Sequence, residues 1–125
     1  MRPESAMTIE HDIGNAHDGP FGLHAAKLGG TYRMRLRGEF DLAAVETVED
    51  ALARAFDGDT QLLEIDLGQL TFLDSSGLRT ILEARDRAAS SGVRLRLVRG
   101  IEPVQRVFAI TGLEASLPFA DEPCG

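Results

Sequence analysis

From Phe21 onward the chain alternates between two hydrophobic rhythms. Phe21 to Leu28 and Thr31 to Arg37 flank Gly29-Gly30, a two-residue hairpin signal. In the second of these segments Tyr32, Met34 and Leu36 alternate with Arg33, Arg35 and Arg37, the period of a strand with one apolar face. After Gly38-Glu39-Phe40-Asp41 the rhythm changes. Leu42, Val45, Val48, Leu52 and Phe56 recur at steps of three or four and predict an amphipathic helix, stopped by Gly58. Leu62 to Leu67 returns to period two, with Leu63, Ile65 and Leu67 against Glu64 and Asp66. A second helix is predicted from about Ser76 to Ala89 through Leu78, Ile81 and Leu82, with Gly92 after it. Val93 to Val98 reads as a strand, with Val93, Leu95 and Leu97 against Arg94 and Arg96. Pro103 opens a third helix through Val104, Val107, Phe108 and Ile110, closed by Gly112.

The predicted order is β-β-α-β-α-β-α. Strands alternating with helices imply an α/β fold with a mixed, mainly parallel sheet, and the first hairpin adds an antiparallel strand. A sheet covered on both faces calls for nearly all-apolar strands, whereas three strands here alternate apolar with charged. The helices are therefore expected mostly on one face. The other face would carry five arginines and two acids, as a solvated ion-paired surface or as a phosphate-binding patch. If the strands starting at Thr31, Leu62 and Val93 are parallel, their following loops share the carboxyl edge of the sheet, where sites of open α/β sheets gather. Asp41, Ser75 and the Gly100 to Pro103 turn would meet there.

Residues 1 to 20 lack periodicity and carry Pro3, Gly14, Asn15, Gly19 and Pro20. They are expected to form a mobile leader, pairing at most near its end. The expected organisation is that leader, one domain over 21–119, and a short tail over 120–125. A length of 125 residues holds one core, not two. The formal net charge of −7 argues against non-specific nucleic-acid binding, which needs a basic surface. The chain shows no 18-residue apolar run and no apolar segment of the signal-peptide type, so a soluble cytoplasmic protein is expected. The single cysteine, Cys124, excludes an intrachain disulfide.

The most informative stretch is Phe72-Leu73-Asp74-Ser75-Ser76-Gly77, which places hydroxyls at a helix N-terminus just after a strand. Free backbone N–H groups and the helix dipole favour an anionic group there. Asp41, Asp74 and Ser75 are also good N-caps, so each has a plain structural use. Gly77 costs about 1 kcal/mol against alanine in a helix. It serves either the close approach of another molecule or close helix packing.

Catalytic patterns are missing. The histidines all lie at or before position 24, no G-x-S-x-G elbow surrounds Ser75, and Lys27 is followed by Leu28 rather than completing a P-loop. No Cys/His cluster has the spacing of a zinc site. These patterns describe a protein that is acted upon, not an enzyme, with no cofactor or metal of its own.

Three separated stretches resemble the STAS-domain anti-sigma factor antagonists: Leu36-Arg37-Gly38-Glu39-Phe40-Asp41, Leu70-Thr71-Phe72-Leu73-Asp74-Ser75-Ser76-Gly77-Leu78, and Pro103-Val104-Gln105-Arg106-Val107-Phe108 through Gly112-Leu113. With their spacing they cover about residues 21 to 117. The resemblance implies that Ser75 is the phosphoacceptor and that Asp41 lies near it and supports phosphorylation and partner binding. Asp74, Ser76 and Gly77 would flank the acceptor on the partner-binding surface. It further implies partner switching. Unphosphorylated, the domain binds an anti-sigma factor that is itself an ATP-dependent serine kinase, which frees a sigma factor. Phosphorylation releases the domain, and a metal-dependent serine phosphatase reverses it. ATP and metal belong to those partners, with no role for nucleic acid or membrane in this chain. The other readings are a STAS subunit of a larger assembly, such as a stress-signalling complex or a lipid transporter, and a nucleotide or small-molecule sensor using the arginine face.

Overall fold

A computed structural model describes residues 9–13 and 20–120. Six strands form one sheet in sequential order: β1 (Ile9–Ile13), β2 (Phe21–Leu28), β3 (Thr31–Phe40), β4 (Leu62–Leu73), β5 (Arg94–Val98) and β6 (Phe119–Ala120). β1, β2 and β3 pair antiparallel, and β3 to β6 run parallel. Three helices fill the crossovers: α1 (Val45–Ala55), α2 (Ser75–Ser91) and α3 (Glu102–Ile110). Parallel crossovers are right-handed, and here each steps to the next strand in the same direction, so all three helices fall on one face. A single apolar cluster joins Leu23, Met34, Leu36, Ile65, Leu67 and Leu97 of the sheet to Val48, Ile81, Val104 and Phe108 of the helices. The expected mixed, mainly parallel sheet with helices on one face is what the chain forms.

The uncovered face is closed by charge. Parallel register aligns Arg33, Glu64 and Arg96 across β3, β4 and β5. Both arginines pair with Glu64, whose side chain is almost fully buried beneath them, and Arg35 pairs with Asp66 at 3.6 Å. Of the two uses expected for this face, the geometry realises the ion-paired one. A buried carboxylate needs such partners, because alone it would lose its hydration uncompensated.

Four features differ from the sequence expectation. Ile9–Ile13 adds a strand within the expected leader, while residues 1–8 and 14–19 lie outside the described residues, as do 121–125 of the tail. Phe119–Ala120 adds a second short edge strand. β4 continues to Leu73 instead of ending at Leu67. Between Asp66 and Leu73 it carries two residues more than its partner β3, as the register shows: Asp66 faces Arg35, Gln69 faces Arg37, and Phe72 faces Glu39. Each extra residue flips the side that later side chains face, so Leu70 and Leu73 follow Leu67 at steps of three. The bulged amide of Gly68 is satisfied by the Asp66 carboxylate at 2.8 Å. Finally, the first predicted helix begins as a 3-10 turn, Leu42–Ala44, and Leu42 is 73% exposed instead of joining the core.

Candidate functional site

Strands β3, β4 and β5 end on the same edge, and each connection to a helix starts there. Phe40 and Leu73 are register partners at the ends of β3 and β4. Asp41 and Asp74 follow them directly. The amide of Asp74 donates to the Phe40 carbonyl at 3.2 Å, which ties the two strand ends together. Gly38 shapes this end of β3. Its φ is +84°, and a Cβ there would overlap the Pro20 carbonyl oxygen, so only glycine lets the Glu39 amide reach Pro20 at 2.9 Å.

Both aspartates are extended and turn their carboxylates onto backbone amides. Asp41 Oδ1 accepts from Ala43 at 3.1 Å and caps the 3-10 turn. Asp74 Oδ1 accepts from Ser76 at 2.8 Å and Gly77 at 3.1 Å and caps α2. With Asp74 as the cap, Ser75 is released from that duty. It is the first residue of α2, exposed, and its hydroxyl makes no hydrogen bond among the described residues. Ser76 is half-buried, and its carbonyl accepts from the Thr80 hydroxyl at 3.0 Å.

Gly77 has a packing use, the second of the two readings open for it. It is buried, and a Cβ there would lie 2.5 Å from Leu73 Cδ1, 2.9 Å from the Phe40 carbonyl oxygen and 3.0 Å from Phe40 Cγ. The missing side chain lets α2 sit directly on the end of β3. This close packing calls for a glycine here, and it fixes where Ser75 stands.

Three exposed apolar side chains lie in or beside these connections, among them Leu42, which was expected in the apolar stripe of the first helix. Leu42 follows β3, Phe72 sits near the end of β4, and Ile101 precedes α3. Their position marks them: each lies in or beside a strand-to-helix connection. Surface recesses of about 220 and 310 Å³ lie elsewhere, the first between α1 and α2 at Glu49, Leu52 and Arg87, the second at Ala26, Leu28, Thr31 and Arg33. The carboxyl edge thus presents an exposed Ser75 hydroxyl together with exposed apolar side chains and capping carboxylates. Among the described residues no group of His, Cys, Asp and Glu side chains is placed to hold a metal, and no helix is long and apolar enough to cross a membrane.

The STAS domain family model matches residues 23–123. The chain belongs to the STAS family. A STAS-domain containing protein of Pseudomonas aeruginosa is 30% identical over 81 residues, covering 65% of this chain and 79% of that one. The anti-sigma factor antagonist SpoIIAA in its unphosphorylated form superposes with a TM-score of 0.69 at 26% identity, covering 80% of this chain and 89% of that one. The Bacillus SpoIIAA in its phosphorylated form gives 0.58 at 28% identity, over 74% and 85%. An anti-sigma factor antagonist from Mycobacterium paratuberculosis, at 23% identity and a TM-score of 0.66, covers 96% of this chain and 89% of its own and shares the fold. The STAS fold of this chain therefore resembles that of anti-sigma factor antagonists.

Proposed function

We propose that this STAS protein is an anti-sigma factor antagonist switched by phosphorylation of Ser75. Unphosphorylated, it docks through the carboxyl edge onto an anti-sigma factor with serine kinase activity, and a sigma factor goes free. The observation that carries this reading is the exposed, unbonded Ser75 hydroxyl at the start of α2, on the sheet edge that also carries exposed Leu42, Phe72 and Ile101. SpoIIAA, similar in fold and solved with and without phosphorylation, supports it.

The transfer is simple to balance. The Ser75 oxygen bonds to the γ-phosphorus of the kinase's ATP, the bond to the ADP oxygen breaks, and the hydroxyl proton passes to a partner base or water. A metal-dependent phosphatase then hydrolyses the phosphate with water. Asp74 and Ser76 hold the acceptor's turn, Gly77 sets its place, and Asp41 adds a carboxylate beside it that supports phosphorylation and partner binding.

A phosphate adds about −1.5 to −2 charges. The helix N-terminus tolerates this, so the loss falls on docking. One like-charge contact at about 4 Å costs roughly 1 kcal/mol in water-like surroundings and about 4 kcal/mol at intermediate dielectric. At about 1.4 kcal/mol per tenfold, repulsion with steric overlap weakens binding on the order of a hundredfold without refolding. Ser75→Ala is expected to bind the kinase partner and resist phosphorylation, whereas Ser75→Asp binds weakly. Mass spectrometry after incubation with kinase and ATP, together with calorimetric affinities, checks both. Tight binding by stoichiometrically phosphorylated protein contradicts the proposal.

A further inference from the structure

The surroundings of Ser75 are short of positive charge. Segments 39–46 and 71–79, which build the two capped connections, carry Glu39, Asp41, Glu46 and Asp74 against a single cation, Arg79. On the third connection Arg99 is already engaged, donating to Glu114 at 2.8 Å. Arg79 is exposed and makes no hydrogen bond or ion pair among the described residues, although Glu83 stands one turn further along α2.

Ser75 and Arg79 are four residues apart on one helix. Such positions are neighbours on a helix surface, with Cβ atoms about 5–6 Å apart. Helical side chains lean toward the N-terminus, so the long arm of Arg79 leans toward the turn of Ser75 and away from Glu83. A guanidinium offers forked N–H donors that suit phosphate oxygens.

We propose that Arg79 is the intramolecular counter-ion of a phosphoryl group on Ser75, an inference that rests on reading Ser75 as the phosphoacceptor. The dianion would otherwise face Asp41 and Asp74 with only the helix end to offset them. Pairing with Arg79 holds it close to α2. Phosphorylation then acts twice on the docking surface: it adds an anion and withdraws a cation that a partner's carboxylate would meet.

The test places phosphoserine at position 75 during synthesis, so that no kinase is needed, and follows the phosphate by phosphorus NMR across pH. An arginine neighbour favours the dianion and lowers its second pKa. Arg79→Gln is expected to raise that pKa by about half a unit, and Arg79→Lys to restore most of it. The unphosphorylated Arg79→Gln protein should melt with the parent, which separates a counter-ion from a structural role. An unchanged phosphate titration in Arg79→Gln, or a lysine variant that titrates like the glutamine one, overturns the inference. Failure of every kinase to modify Ser75 would instead overturn the switch and leave this titration standing.

Discussion

α2 and α3 both begin at the carboxyl edge of the sheet, but they are anchored there by different physics. α2 is anchored by short, local devices. Asp74 bonds two amides of its first turn, and Gly77 brings the helix backbone against Phe40. α3 has no side-chain cap at Ile101 and starts with Pro103 in its first turn. Its start is held by long side chains: Gln105 accepts from the Gly100 amide at 2.8 Å and donates to Glu114 at 3.0 Å, and Arg99 donates to the same Glu114 oxygen. Short caps and backbone contact leave little rotamer freedom, so Ser75 is presented in one place. Long polar arms carry side-chain entropy and depend on charge, so the α3 start is the adjustable one.

The largest effect comes from breaking the close contact under α2. Gly77→Val puts branched carbons where even a Cβ meets the Phe40 backbone, and the overpacking is expected to cost about 3 kcal/mol. For a domain near a hundred residues that is a drop of more than roughly 10 °C in melting temperature. Thermal unfolding checks it. A variant that melts with the parent yet fails to dock would return Gly77 to the partner surface.

The two caps sharpen the comparison within the α2 region itself. Asp74 supports a helix of 17 residues, whereas Asp41 supports a 3-10 turn of three. Asp74→Ala is expected to lose about 1–2 kcal/mol, the usual worth of a cap. Asp41→Ala should lose less, about 0.5 kcal/mol, since it anchors one bond of a short turn. Asp41→Asn is the decisive version, because asparagine caps as well as aspartate. It keeps the turn and removes the charge, so it is expected to lower phosphorylation or partner affinity while leaving the melting temperature nearly unchanged. Normal switching with a large fall in stability would make Asp41 a cap and nothing more.

How far these features could be read from the residues depends on range. The alternation of Tyr32, Met34 and Leu36 with arginines is a local signal, and the face it implied is the one the helices cover. The Ser75 hydroxyl at a helix start was likewise legible, because Asp74-Ser75-Ser76-Gly77 follows a strand and opens a helix. The end of β4 was not. Its two extra residues break the period twice, at Gly68 and again before Phe72, and only pairing with β3 shows that the strand goes on. β1 and β6 are held by their neighbours' edges, with no period long enough to announce them. Leu42 fits a helical step from Val45, yet the chain enters as a 3-10 turn, which rotates it outward. Gly77 left two readings open, and the packing one became visible only with the position of the Phe40 backbone, 37 residues earlier in the chain.

The smallest effect tests the other half of the comparison, and its sign follows from Glu114. Hydrogen bonds from Gln105 and from Arg99 hold the Glu114 carboxyl below its ordinary 4.5. A carboxyl whose folded value is lowered stabilises the fold above the unfolded value and loses that contribution as pH falls through the folded one. Above about pH 4.5 the tie between the α3 start and Glu114 is therefore intact, and in more acid solution it weakens. Amide exchange at Gly100, whose N–H is bonded to Gln105, should speed up over that acid range in the parent. In Glu114→Gln, which has no proton to gain, the same amide should respond less to acid. If Gly100 responds equally in both proteins, the α3 start does not depend on this charge, and the two helices are anchored more alike than their contacts imply.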